Sequence, residues 1–391
     1  MSRKFGALAR RGAACVALAA VVSGCSASGS GGSSSAVIAT GHVLTIFLSE
    51  PPDLRSNPVA RDVVDAEKLA YQQESHEVGS YRLQLVAVRG HVLSDNARAA
   101  IQTTNAIAYL GEVAPGYSEQ SVGINNAQQL LQVSPTDTAL ELGQATSAVP
   151  GSPEHFFESW GTYGRTFGRV VPTSAQEAKA LVAQMASMGA GSVYIADDGS
   201  NYGRSIAAAV RTDASPKSIQ VSDSQQSASA MFYGAQSPTA AARFFNAAAK
   251  SFPTALLFGS SSLDTPAFAS ALAPAVKHLY VSAPGIWPNA LSADGRSFMT
   301  AFAHAYRHQP AAQAIFGYAA MSAVLHVLAE AGRAANNRAT VSRDFMRLNL
   351  TSSVLGPYKI DSAGNTSLDT FVINRLSAGA FVPVRAASAH G

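Results

Sequence analysis

Cysteine is almost absent from this chain. Of its 391 residues two are Cys, and both, Cys15 and Cys25, fall in the first 25 positions. The remainder holds no thiol to form a disulfide, bind a metal or act as a nucleophile. Charge is sparse too: Asp, Glu, Lys and Arg make up 14%, and the formal net charge is +3. No dense Lys/Arg run follows residue 11, which sets nucleic acid aside as a partner. No G-x-x-x-x-G-K-[ST] loop occurs, so ATP hydrolysis by that device is excluded. No G-x-S-x-G elbow with a matching His and Asp is found either, which leaves a secreted hydrolase without its nucleophile. What is plentiful is apolar: 47% hydrophobic residues and 31 Gly, the composition of a folded chain long enough for two domains.

The N-terminus reads as a processing signal. Arg3, Lys4, Arg10 and Arg11 precede a short apolar run over 13–22, too short to span a bilayer stably. It ends in Val22-Ser23-Gly24-Cys25, which matches the bacterial lipobox. An ordinary signal with a coincidental Cys is the alternative. The expected organisation begins with a lipoprotein signal over 1–24 and a Ser/Gly-rich tether over 25–40. Lipid on Cys25 would hold the protein on the outer face of the cell membrane, since two or more acyl chains anchor stably where one does not.

Beyond the tether, strand and helix patterns alternate. Residues 43–48, 82–88, 109–113, 130–134, 166–171, 192–196, 254–259 and 278–282 read as strands, and 59–73, 95–105, 175–188, 202–211, 298–308 and 315–333 as helices. This alternation predicts an α/β protein with parallel sheets, helices on both faces and right-handed crossovers. In such sheets ligands bind beyond the carboxyl ends of the strands. The centre of the pattern is a βαβ unit over 110–138, whose loops carry Ser118 and the run Ser134-Pro135-Thr136-Asp137-Thr138. Ser118, Thr136 and Thr138 are candidates for ligand contact, or for capping the helices that follow.

This segment resembles the extracytoplasmic solute-binding proteins of the branched-chain amino acid type, which have the type I periplasmic-binding fold. There a strand ends in a G-x-x-x-S-like loop and the next ends S-P-x-x-T. The resemblance continues through 163–204 and 315–384. It includes Asp197-Asp198-Gly199-Ser200-Asn201-Tyr202-Gly203, the helix segment Phe316-Gly317-Tyr318-Ala319-Ala320-Met321, and the closing Leu355-Gly356-Pro357-Tyr358-Lys359-Ile360-Asp361. It implies two parallel-sheet lobes joined by three crossovers with the ligand cleft between them. Lobe 1 is expected over 41–168 and 309–353, lobe 2 over 169–308 and 354–386, and a tail over 387–391. The resemblance further implies that the protein captures a small solute for a membrane permease driven by an ATPase. It implies no enzymatic activity, no cofactor and a monomer. A ligand-sensing receptor of the same fold is the alternative.

The ligand residues the resemblance implies are Ser118, Ser134, Thr136, Asp137, Thr138, Tyr202, Ser261 and Trp287. Asp197 and Asp198 either face the ligand or cap the next helix. Three departures from the family pattern matter: Glu50-Pro51-Pro52-Asp53 replaces a glycine-containing loop, Pro115 stands near the expected serine, and Pro284 stands where an acid pairs with the ligand's ammonium. Without that acid an amino acid's ammonium would be buried unpaired, so the expected solute is a carboxylate, amide or other neutral polar compound. His304 and His308 have i,i+4 spacing, but with no Glu between them a solvated helix face is the expected reading. Residues 355–361 and 368–376 are expected to pair as strands about Asn365.

Overall fold

The computed structural model describes residues 36–388. The signal segment, Cys25, most of the tether and residues 389–391 lie outside the described residues. The strands are near-continuous apolar runs. β1 (Val43–Ser49) is buried at six of its seven positions, as a strand covered on both faces by helices must be. With β2 (Glu77–Val78), β3 (Tyr81–Val88), β4 (Ala106–Leu110), β5 (Leu131–Ser134) and β6 (Phe167–Arg169) it forms a sheet of order β2-β3-β1-β4-β5-β6. All its pairings are parallel except the edge pair β2·β3.

The second sheet contains β7 (Ser192–Asp197), β8 (Gln220–Ser222), β9 (Ala230–Gly234), β10 (Leu256–Gly259) and β11 (Leu279–Pro284), all parallel. β12 (Asn349–Leu350) and β13 (Tyr358–Lys359) pair with each other. The antiparallel strands β14 (Thr370–Ser377) and β15 (Ala380–Ser388) complete the second sheet, in the order β15-β14-β11-β10-β9-β7-β8. The register of β14 and β15 shifts between Ile373 and Asn374, where Pro383 faces Asn374.

Helices cover both faces of each sheet. Pro58–Gln73 starts with Pro at its first position and is capped by Asn57, whose side chain accepts from the Ala60 amide; both devices favour a helix start. It packs against Ala314–Ala331, where Gly317 lies so close to Val63 that a Cβ would sit 2.2 Å from the Val63 carbonyl oxygen. Ala314–Ala334 is long and apolar enough to cross a membrane, but two thirds of it is buried inside the fold, as expected for a core helix. Leu93–Ile101 closes the other face with Phe47, Tyr109 and Leu130. On the second sheet, Ser174–Ser187 and Asn201–Ala214 share one core with Phe232 and Phe258, and Pro238–Ser251, through Phe245, shares another with Leu257 and Phe268.

The structure corrects the sequence reading at four places. Segments 355–361 and 368–376 do not pair along their length. Only Ile360 bridges Thr366, because β14 is drawn into the second sheet between β11 and β15, which buries Phe371 and Ile373. The helix read over 298–308 is Ala293–Tyr306, and its Phe298 and Phe302 pack with Leu355, Tyr358 and Ile360 in the core of the first sheet, not the second. It ends at Arg307 in the left-handed conformation, so His304 and His308 share no helix face; His308 instead contacts Asp62 at 2.9 Å. Finally, β9 and the helix after it had no counterpart in the sequence reading.

Candidate functional site

The parallel strands of both sheets deliver their carboxyl ends to one seam. The loops after β1, β4 and β5 meet those after β7, β9 and β10 there. Gly116 marks a close approach: its φ is +80°, a conformation open to glycine, and a Cβ would lie 2.8 Å from Gln236 Nε2 and 3.0 Å from Tyr202 Cβ. Beside it lies a cavity of about 460 Å³, walled by Pro51, Asp53, Tyr117 and Gln120 on one side and Gln236 and Ser262 on the other. This volume suits a small ligand.

The eight residues expected at the ligand separate into three groups. Ser118, Ser134, Thr136 and Asp137 are buried and hold the two first-sheet loops together. Asp137 accepts from the backbone amides of Gly116 (2.7 Å), Ala139 (3.0 Å) and Ser118 (2.8 Å). Ser134 Oγ donates to the Glu112 carbonyl at 2.7 Å and accepts from the Asp137 amide at 2.9 Å. Thr136 Oγ1 accepts from the Ala114 amide at 3.1 Å, and Ser118 Oγ from the Glu112 amide at 3.2 Å. These residues shape the loop that carries Tyr117 into the cavity wall.

Thr138, Tyr202 and Ser261 converge on a side chain that the sequence reading did not single out, Glu177 of helix Ser174–Ser187. Its Oε1 accepts from the Ser261 amide and the Ser282 hydroxyl, both at 2.6 Å. Its Oε2 accepts from Ser261 Oγ at 3.0 Å and from Thr138 Oγ1 and Tyr202 OH at 3.4 Å each. One carboxylate thus ties a first-sheet loop to three elements of the second sheet. Burial raises its pKa above the usual carboxylate range, against the lowering effect of the Ser282, Ser261 and Tyr202 bonds. Burial and the neighbouring Glu177 together push the Tyr202 phenol well above its ordinary value. Trp287, the eighth residue, does not line that cavity; it lines a neighbouring one of about 450 Å³ that shares Thr265 and Pro266 with it.

More titratable groups cluster here than the sequence disclosed. Glu112, in a loop entered through a cis Gly111–Glu112 peptide, accepts from Ser49 Oγ (2.6 Å) and Tyr109 OH (2.5 Å). Burial raises it to about 7. Glu119 accepts from Asn201 Nδ2 of the facing helix at 2.9 Å. Both it and its neighbour Glu141 are raised, chiefly by burial. Arg169, wholly buried, donates through Nη1 to the carbonyls of Asp137 (2.9 Å) and Ala139 (2.7 Å), and burial lowers it to about 10. Asp197 and Asp198 stabilise loops: Asp198 Oδ2 accepts from the Gln236 and Ser237 amides at 2.8 Å, while the helix N-cap falls on Ser200. Pro284 is buried at the end of β11. Among the described residues no group of three or more His, Cys, Asp or Glu is placed to hold a metal.

The missed acid had a signal in the sequence. Glu177 shares a stripe with Leu181 and Met185 at i, i+4 and i+8, and both are fully buried. A charge on an apolar helix stripe marks a buried, partnered group.

A family model described as periplasmic binding protein matches residues 94–379. No curated protein matches the chain in sequence. Among solved structures, a leucine-binding protein from Thermotoga maritima is similar at a TM-score of 0.72 and 17% identity, over 89% of this chain and 99% of that one. A branched-chain amino acid transporter substrate-binding protein from Streptococcus pneumoniae, solved with isoleucine, is similar at 0.64 and 15%, over 88% and 100%. A solute-binding protein of an ABC transporter from R. palustris, solved with benzoate, is similar at 0.64 and 15%, over 89% and 97%.

Proposed function

The chain belongs to the periplasmic binding protein family, and from that premise we propose that it captures a small polar solute outside the cell and passes it to an ABC permease and its ATPase. The observation that carries this reading is the 460 Å³ cavity walled by loops from both sheets. In this reading the sheets belong to two lobes, and a solute that touches both favours their closed arrangement over the open one. The protein acts as a monomer held on the membrane through lipid on Cys25. Replacing Cys25 with Ser should release a soluble form and abolish labelling by a fatty-acid analogue; an unlabelled wild-type protein would remove the anchor.

The cavity chemistry narrows the solute to an uncharged one, such as an amide or hydroxyl compound. No Lys or Arg lines the cavity; its one carboxylate, Asp53, and its one imidazole, His91, are both exposed to solvent. Glu177, which does not line the cavity, has both oxygens taken by Ser261 and Ser282. An ammonium therefore finds only the solvated Asp53 and a solute carboxylate only the solvated His91, and a screened surface pair returns little of the hydration that either charge loses on entry. Isothermal titration should give dissociation constants weaker than about 1 mM, roughly −4 kcal/mol, for leucine, isoleucine and valine. A thermal-shift screen should find its binders among uncharged compounds. A micromolar constant for any of the three amino acids would show that the ammonium has a partner in the cleft.

A further inference from the structure

The cavity beside Trp287 has a composition that the cleft lacks. Its volume is about 450 Å³, and its walls are Ile286, Met299, Ile315, Phe381 and Trp287, with a single ionisable side chain, Asp264. Asp264 follows β10 and is partly buried. The amides of Asn374 and Gln313 bond to its carboxylate, yet burial outweighs them and raises it to about 6. The surrounding elements offer it no counter-charge. Pro58–Gln73 presents Val59, β14 presents Val372 and Asn374, β15 presents Phe381 and Pro383, Ala293–Tyr306 presents Met299, and Ala314–Ala331 presents Ile315. A carboxylate facing an apolar chamber without a cation is a costly arrangement, and a ligand that supplies the cation relieves it. An ammonium group does so, and a Trp face attracts ammonium by its ring quadrupole.

We propose that this cavity is a second ligand site for a small hydrophobic monoamine, with the ammonium on Asp264 and the apolar body against Trp287, Ile286, Met299 and Phe381. A zwitterionic amino acid does not fit, because no cationic side chain lines the cavity to receive its carboxylate. The site stands apart from the cleft reading, since it does not require the cleft to bind anything.

Calorimetric titration with phenethylamine and with uncharged phenethyl alcohol tests it. At pH 8 the amine is protonated, as aliphatic ammonium groups titrate near 10, and Asp264 is ionised. The amine should then bind at least tenfold more tightly than the alcohol. At pH 4.5, with Asp264 protonated, the two should bind alike, and Asp264→Asn should remove the preference at pH 8 as well. Trp287→Ala should weaken both ligands. Equal affinities at pH 8, a preference that survives Asp264→Asn, or a Trp287→Ala protein that binds both as before overturns the proposal. If Asp264→Asn does not fold, the pH series on the unsubstituted protein decides. Failure of this test leaves the cleft untouched, and failure of the cleft's solute screen leaves this site untouched.

Discussion

Glu177→Ala is expected to lower the free energy of unfolding by about 3–5 kcal/mol. The substitution strips the acceptor from the Ser261 amide and from the Ser261 and Ser282 hydroxyls. Each buried donor left unmet costs about 1–3 kcal/mol. The hydroxyls can rotate toward other acceptors and the backbone amide cannot, so the amide sets the lower part of that range. A void where the side chain stood adds to the cost. Glu177→Gln keeps one oxygen for the Ser261 amide and should lose roughly 1–2 kcal/mol. Urea unfolding of the three proteins measures both values. An Ala variant within about 1 kcal/mol of wild type would mean that the seam holds without this carboxylate.

The second large effect is with pH. Burial raises Glu112 to about 7 and Asp264 to about 6, and raises Glu119, Glu141 and Glu177 as well. In the unfolded chain all of them titrate near 4. The folded protein therefore binds more protons than the unfolded one between about pH 4 and 8. Stability contributed by these groups is complete below the unfolded value and is lost as the pH rises through the folded values. The slope is about 1.4 kcal/mol per pH unit for each proton taken up on folding. With about two such protons, discounted for the partly exposed Glu119, the gain between pH 7.5 and 5.5 is about 3–5 kcal/mol. Urea midpoints should rise over that interval, and Glu112→Gln should flatten the slope by about one proton. A midpoint that falls on acidification would show that these carboxylates are ionised in the fold.

Much of the architecture was legible because parallel strands buried on both faces leave short continuous apolar runs, as in β1, β4 and β5. β9 was not, although Ala-Met-Phe-Tyr-Gly is fully buried; it is short, and the Ala-rich helix after it blurs its end. The closing segment misled for a different reason. Local pairing of 355–361 with 368–376 competes with the burial of Phe371 and Ile373 in the second sheet, and burial wins. The turn at Gly364, whose Cβ would meet the Phe167 carbonyl at 2.3 Å, docks on the first sheet instead. In the candidate site the loops were legible and the acid that ties them together was not. Ser118, Thr136 and Thr138 announce themselves by their neighbours in sequence. Glu177 is brought to Ser261 and Ser282 from 84 and 105 residues away, and only its place on an apolar stripe betrays it.

The sheet margins bear on how the protein behaves when crowded on a surface. Three of the four margins of the two large sheets are stubs: β2 has two residues, and β6 and β8 have three each. An unpaired strand that short offers another chain too few amides to extend a ladder. β15, at nine residues, is the long one, and Val382 and Val384 stand exposed along it, the kind of strip on which fibrils start. Pro383 between them has no amide to give, and the shifted register opposite Asn374 bends the strip out of line. Pro383→Val would return an amide to this strip between two exposed valines, and with it a better template for edge-to-edge aggregation.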